Sequence, residues 1–284
     1  MSGFQLVKAL LARRPGLTEG ATIPRLVTAR SGVVPVAERL TTYRALCSLG
    51  DDGELPLPFL QMLSGDLHIA LLGRSEFPLP VAGLIHVTNR IVQRGALPAD
   101  GAYDLEASVE GHRDDPRGTL FDLHTRASLG SDCVWESTAS ILSRPKAAPK
   151  PGATTREKRS DEAPAGLDVR PARSTIWTLR ADLGRRYAAI SGDYNPIHLS
   201  ALTARSFGFK RAIVHGMWSL ARCLGELQDA LPNGPKQCTV RFERPVFLPG
   251  RVHFYAQGAE NGHEFTLTSP DLRTRHLRGT VSAL

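Results

Sequence analysis

The chain lacks any run of eighteen apolar residues, so it has no segment that reads as a membrane-crossing helix. Cysteine is scarce and scattered: Cys47, Cys133, Cys223 and Cys238 form no C-x-x-C pair and stand beside no histidine cluster at ligand spacing. That pattern predicts reduced packing residues of a cytoplasmic protein, with neither a disulfide framework nor a metal site. A glycine-rich phosphate loop is missing as well. Aromatic residues make up only 6%. The net charge is +7, but residues 144–173, with eight basic and four acidic side chains, supply +4 of it. Charge gathered in such a stretch, without interleaved aromatics on a folded face, argues against a nucleic-acid partner.

What is present is 284 residues of ordinary globular composition, 42% hydrophobic, enough for two domains. Met1 to Thr18 reads as an amphipathic first helix, with Lys8, Arg13 and Arg14 among Leu6, Val7, Leu10 and Leu11. Ser143 to Arg173 carries Pro145, Pro149, Pro151, Pro164 and Pro171 and almost no large apolar side chain, so it cannot build a core and reads as a linker. The expected division is a domain over 1–143, a linker over 144–172 and a second domain over 173–284.

The densest chemistry lies in the second domain. Ser191-Gly192-Asp193-Tyr194-Asn195-Pro196-Ile197-His198 sets a carboxylate and an imidazole into one turn, and His215-Gly216-Met217 follows seventeen residues after the first histidine. Pro196 fixes its own φ and turns Asn195 away from the helical region, while Gly192 lets the chain bend sharply just before the acid. The amide of Asn195 can lock the bend. An acid and an imidazole held this way can share a water and pass protons near neutral pH. Read in isolation, the same residues are more often an Asx turn at Asp193 and a helix cap at His198, with no catalytic role. Arg185 to Ile190 reads as a short helix entering the turn, and Leu199 to Phe207 as an apolar-faced helix leaving it.

The string Tyr187 to His198, with Ala204 beyond it, and the second block Phe209 to Met217 resemble the signature of the MaoC-like (R)-specific enoyl-thioester hydratases. The resemblance implies a hot-dog fold, an antiparallel sheet wrapped around a central helix, and reversible hydration of a trans-2-enoyl thioester. It implies Asp193 and His198 as the catalytic pair acting on one water. It also implies the Gly216 backbone N–H, opening a helix from Met217 to Leu231, as the oxyanion donor. A helix start offers unpaired N–H groups and the positive dipole end, which suits a developing enolate. His215 is expected to be a hydrogen-bonded structural residue. Several bacterial single-domain relatives carry a serine further along that helix; the matching position here is Leu224, Ser219 is out of register, and no serine role is carried over. Lys210 and Arg211, just before the Gly216 loop, are candidates to meet a phosphopantetheine arm.

The two halves resemble each other. Thr138 to Leu142 closes the first as Thr280 to Leu284 closes the second, Phe121-Asp122-Leu123 parallels Phe265-Thr266-Leu267, and Ala96-Leu97-Pro98 parallels Phe247-Leu248-Pro249. Ile85 to Arg90 parallels Thr239 to Arg244, each after a helix, Pro58 to Leu72 and Met217 to Leu231. Their common order argues for duplication. The first half has no counterpart of Asp193 to His198. The expected fold class is therefore α+β, two tandem hot-dogs forming a pseudo-dimer with a degenerate first copy, either monomeric or a homodimer of the pseudo-dimer. The resemblance further implies an acyl-CoA or acyl-carrier-protein substrate in fatty-acid metabolism and no cofactor. The competing readings are a hot-dog thioesterase, which would place a carboxylate on the central helix where Glu226 and Asp229 stand late and solvent-facing, and a non-catalytic partner subunit.

Overall fold

The computed structural model describes residues 14–144 and 173–284. Most of the expected first helix, and all of the expected linker apart from Arg144, lie outside the described residues. Residues 14–18 are not helical.

The first half runs β1 (Leu26–Val33), α1 (Ala37–Cys47), α2 (Phe59–Leu63), α3 (Gly65–Leu72), β2 (Ile85–Gln93), β3 (Tyr103–Val109), β4 (Arg113–Asp115), β5 (Gly118–Leu129) and β6 (Asp132–Ser143). The second runs β7 (Arg173–Leu179), α4 (Leu183–Ser191), α5 (Pro196–Leu199), α6 (Ala201–Arg205), α7 (Gly216–Glu226), a 3₁₀ turn (Gln228–Ala230), β8 (Lys236–Phe242), β9 (Gly250–Ala259), β10 (Gly262–Thr268) and β11 (Arg275–Ala283). The strands follow the two-residue period that a half-buried sheet demands. In β3, Tyr103, Leu105, Ala107 and Val109 are buried while Asp104 and Glu106 face solvent.

All strands join one antiparallel sheet in the order β1-β3-β5-β6-β2-β8-β11-β10-β9-β7, with β4 hanging on β5. Read outward from the middle, each side repeats the same chain order of five strands. The seam is a single ladder in which Thr88–Gln93 of β2 faces Lys236–Arg241 of β8. The strand pairs picked out by sequence fall at matching places: Phe121 and Leu123 on β5, and Phe265 and Leu267 on β10, all point into the core. Leu97 and Leu248, each before the third long strand of its half, are buried too.

The helices lie on one face of this sheet, and one continuous hydrophobic core runs through both halves. Trp218 of α7 ties them together: its indole N–H donates to Leu46 O at 3.0 Å, and its ring meets Trp177 edge-on at 6.4 Å. Gly225, later on α7, has no room for a side chain, because a Cβ there would sit 2.7 Å from the carbonyl oxygens of Cys47 and Ser48. The central helix of the second half thus rests backbone to backbone on the end of α1.

Three expected elements differ in detail. The helix read over Pro58–Leu72 is broken at Ser64 into α2 and α3, and that over Met217–Leu231 starts one residue earlier and finishes as a 3₁₀ turn. The helix read over Leu199–Phe207 is two short pieces, because Ser200 is extended (φ −156°, ψ 163°) and its Oγ caps Thr203 N–H at 3.1 Å. Leu202, expected on an apolar face, is 76% exposed.

Candidate active site

The turn begins where α4 ends. Gly192 adopts the left-handed conformation (φ 76°) and its N–H donates to Ala188 O at 2.8 Å, a helix stop suited to glycine. Asp193 follows at once. Its Oδ1 accepts from Asn195 N–H at 3.1 Å, while Asn195 Oδ1 in turn accepts from Ile197 N–H at 3.4 Å. Pro196 opens α5, where its missing N–H costs nothing. Two nested side-chain turns therefore hold Asp193 and His198 in fixed relation.

Across from this turn, residues 212–214 are clamped between α5 and the loop before β9. Ile213 N–H donates to Ile197 O at 3.0 Å, Val214 N–H to Val246 O at 2.9 Å, and Leu248 N–H to Ala212 O at 2.8 Å. His198 Nδ1 lies 2.8 Å from Ile213 O, a contact that requires the proton on Nδ1 and leaves the other ring nitrogen as a base. His215 Nε2 lies 3.0 Å from the backbone oxygen of Asp193 and 3.7 Å from its carboxylate. The two imidazoles stack with centroids 3.6 Å apart, and Tyr187 of α4 packs against His215 at 4.8 Å. Donor atoms of Asp193, His198 and His215 come within 4.8 Å of one another, close enough for one water to bridge them.

His198 and His215 are buried, whereas the Asp193 side chain keeps 48% exposure. Burial opposes ionisation of Asp193, but His215, His198 and the Asn195 N–H together outweigh it and hold the carboxyl below its ordinary value. Solvent reaching that half-open carboxylate weakens the burial effect further, in the same direction. Burial lowers His198, against the opposing pull of Asp193 and Ile213 O. His215 is lowered strongly, first by burial and then by facing His198. Near neutral pH the pair is thus a carboxylate beside a neutral imidazole, poised to take up a proton.

Gly216 opens α7, and His215 in extended conformation precedes it. A Cβ on Gly216 would press on the Phe242 ring at 3.1 Å, so the ring lies directly against the backbone there. The helix start brings its unpaired N–H groups next to the residue that holds Asp193. Arg211 donates to Pro249 O at 2.9 Å and lies over the Phe247 ring at 5.5 Å, while Lys210 is exposed. Leu224 is buried in the core, and Ser219 Oγ is spent on His215 O at 3.4 Å.

One expectation needs correcting. Glu226 is not solvent-facing: it accepts from Trp177 Nε1 at 3.1 Å and Thr175 Oγ1 at 3.2 Å and pairs with Arg222 at 2.6 Å. A carboxylate at the end of a helix finds donors when the neighbouring strand supplies an indole. Asp229 is exposed as expected, paired with Arg173.

Sequence reading also missed supporting residues. A Cβ on Gly184 of α4 would lie 1.9 Å from His198 O, so this glycine is what lets α4 and α5 meet. Arg39 of the first half donates through Nε to Ile190 O, just before the turn. Gly184 stands one residue before the helix expected from the sequence, and neither residue carries a local signal of its contact.

The chain is similar to known proteins along most of its length. Residues 164–276 match the model of the MaoC like domain. Over 292 aligned residues the chain is 28% identical to 3-hydroxyacyl-thioester dehydratase X of Mycobacterium tuberculosis, covering 94% of this chain and all of the relative. The crystal structure of HtdX from the same organism superposes with a TM-score of 0.77 at 27% identity, over 91% of this chain and all of that one. A 69-residue stretch is 36% identical to the (R)-specific enoyl-CoA hydratase of Aeromonas caviae, covering 23% of this chain and 52% of that enzyme.

Proposed function

The chain belongs to the MaoC-like dehydratases and has their α+β hot-dog architecture, and on that premise we propose that it is a hydro-lyase interconverting trans-2-enoyl and (R)-3-hydroxyacyl thioesters. The observation that carries the reading is the pairing of a deprotonated carboxylate with an imidazole whose Nδ1 proton is committed to Ile213 O. In hydration, Asp193 and His198 hold one water and accept its proton as the oxygen adds to C3. The electron pair of the double bond moves toward the thioester carbonyl, whose oxygen is held by Gly216 N–H, and the proton is returned to C2. Dehydration runs the same steps backward. No electrons are gained or lost, so the proposal includes no cofactor.

In this reading His215 is a positioning residue that fixes the Asp193 backbone, and only the second half is catalytic. Lys210 and Arg211 are candidates to meet the phosphates of coenzyme A or the arm of an acyl carrier protein. A cytoplasmic setting suits a protein whose four cysteines are all unpaired. The engagement of Glu226 with Trp177 and Arg222 counts against its serving as the helix carboxylate of a thioesterase.

Crotonyl-CoA tests the proposal. Hydration removes the enoyl absorbance without releasing free coenzyme A, and the product should be the (R)-3-hydroxy isomer. Asp193→Asn and His198→Ala should each lower turnover roughly a hundredfold or more, with the double variant little worse than either single one, because both groups serve one water. Near-normal turnover in either variant, or release of free coenzyme A by the wild type, would overturn the assignment.

A further inference from the structure

Among the buried apolar residues of its strands, such as Ile91, Phe121, Leu123, Trp135 and Ala139, the first half carries buried polar side chains close to the seam. On the second half's side of the seam, the buried inward positions are Cys238, Val240, Phe265, Leu267, Leu277 and Val281. On the first half's side, Asn89 of β2, Ser137 of β6 and Thr125 of β5 are buried at the same depth. They are connected. Ser137 Oγ donates to Asn89 Oδ1 at 2.7 Å, Asn89 Nδ2 reaches Met217 Sδ at 3.6 Å, and Thr125 Oγ1 lies 2.8 Å from His68 Nε2 of α3.

This row borders the proposed active site. At one end is Met217, next to Gly216. At the other, His68 of α3 is preceded in the chain by Ser64, where α2 gives way to α3, and by Gln61 of α2. Gly65 lies 3.5 Å, from its would-be Cβ, from Ser191 O, two residues before Asp193. Ser64 Oγ and Gln61 Oε1 are buried without a hydrogen-bond partner. So is Nε2 of His86, whose ring stands 5.0 Å from the Phe242 ring that covers Gly216. A register shift in β2 between His86 and Thr88 re-aims this stretch of strand, a common use of a bulge beside an active site.

Buried polar atoms without partners cost about 1–3 kcal/mol each in ordinary proteins; of the nine among the described residues, Ser64 Oγ, Gln61 Oε1 and His86 Nε2 belong to the elements that carry this row, where a ligand oxygen would satisfy them. We propose that the first half forms a polar wall of the acyl-binding space, and that the preferred substrates are enoyl thioesters whose acyl tail carries a hydroxyl or keto oxygen. The inference rests on the hydratase reading above and names the substrate class of that site. The wall is polar but uncharged: burial lowers both His68 and His86 to about 4, with His68 lowered also by His86. A neutral oxygen function therefore suits it, and a carboxylate does not.

The test compares trans-2-octenoyl-CoA with its ω-hydroxy and ω-carboxy counterparts. For the wild type, kcat/KM should favour the ω-hydroxy compound over the plain alkyl one by about tenfold, the worth of one hydrogen bond made instead of left unmade. The ω-carboxy compound should be the poorest of the three. In His86→Leu the ω-hydroxy to alkyl ratio should fall to about one or below, with cooperative unfolding confirming an intact fold. Calorimetric binding of saturated ω-hydroxyoctanoyl-CoA and octanoyl-CoA reads the same wall without turnover. It therefore separates failure of this proposal from failure of the hydratase reading. Equal binding of the two, or a preference for alkyl in the wild type, would overturn the proposal, as would a ratio unmoved by His86→Leu.

Discussion

Gly184→Ala is the most incisive single perturbation of the catalytic turn, because it touches neither proposed proton-transfer group. The added methyl would be built 1.9 Å from His198 O and 3.0 Å from its carbonyl carbon. Neither atom is the end of a flexible side chain; both are backbone. α5 must therefore withdraw by roughly an ångström, and it cannot do so freely, since Ile197 O and His198 Nδ1 are both bonded to Ile213. A displacement of that size at a reacting group can cost about a hundredfold in rate. The control is Gly192→Ala, where a Cβ meets nothing within 4 Å but the left-handed φ of 76° is strained; that change should cost about 1 kcal/mol of stability with a smaller effect on rate. Steady-state kinetics on crotonyl-CoA, with thermal unfolding of each variant, separate the two. The expected pattern is a kcat loss in Gly184→Ala beyond what the shared loss of stability explains. If Gly184→Ala turned over normally while remaining folded, the contact between α4 and α5 would not be what positions His198.

Two further outcomes are expected. His68, His86, His198 and His215 are all held below their ordinary pKa, chiefly by burial. Below about 6.5 the unfolded chain binds protons that the folded chain refuses. Stability should fall as pH drops from 6.5 toward 4, by up to about 1 kcal/mol per pH unit for each histidine, with a Tm flat across that range counting against the buried neutral imidazoles. Residues 173–284 expressed alone would lose the β2–β8 ladder, the Trp218 bond to Leu46 and the Arg39 bond to Ile190. The fragment should aggregate or pair with itself through β8, and a self-pair should keep short-chain turnover better than long-chain turnover. Light scattering with chain-length kinetics checks this, and a soluble monomer with the full chain's profile would refute it.

The parts legible in the sequence are those with local causes. The αL stop at Gly192, the Asx turns of Asp193 and Asn195 and the proline at the start of α5 all act within a few residues, so the turn could be read before any fold was known. The strand ends and apolar pairs, such as Phe121 with Leu123 and Phe265 with Leu267, carry the period of two and were legible for the same reason. What stayed hidden depends on distant chain. The Glu226 carboxylate is claimed by Trp177, 49 residues away, and Arg39 reaches 151 residues to Ile190. The break of Leu199–Phe207 is a different case: Ser200 is a local cap signal, three residues before Thr203, that an apolar run obscured.

The asymmetry of the two halves explains why the first is retained without a catalytic turn. Its own loop, Ser48–Pro58, occupies the place between helices that the second half fills with the turn, α5 and α6. There the space is already taken: Gln228 accepts from Gly50 N–H, Gln93 donates to Glu54 at 3.4 Å and to Gly95 O at 3.1 Å, and Arg44 pairs with Asp51 at 2.7 Å. Without a catalytic turn of its own, the first half packs against the turn of the other half instead, with Arg39 on Ile190, Gly65 near Ser191 and His68 bonded to Thr125 near the seam. A symmetric pair of identical halves could not do this, since any residue chosen to line one site would also appear in the other. Duplication would let the proposed wall vary while the turn itself stays fixed. That is the physical basis for expecting substrate preference to reside in residues 26–143 and chemistry in 173–284.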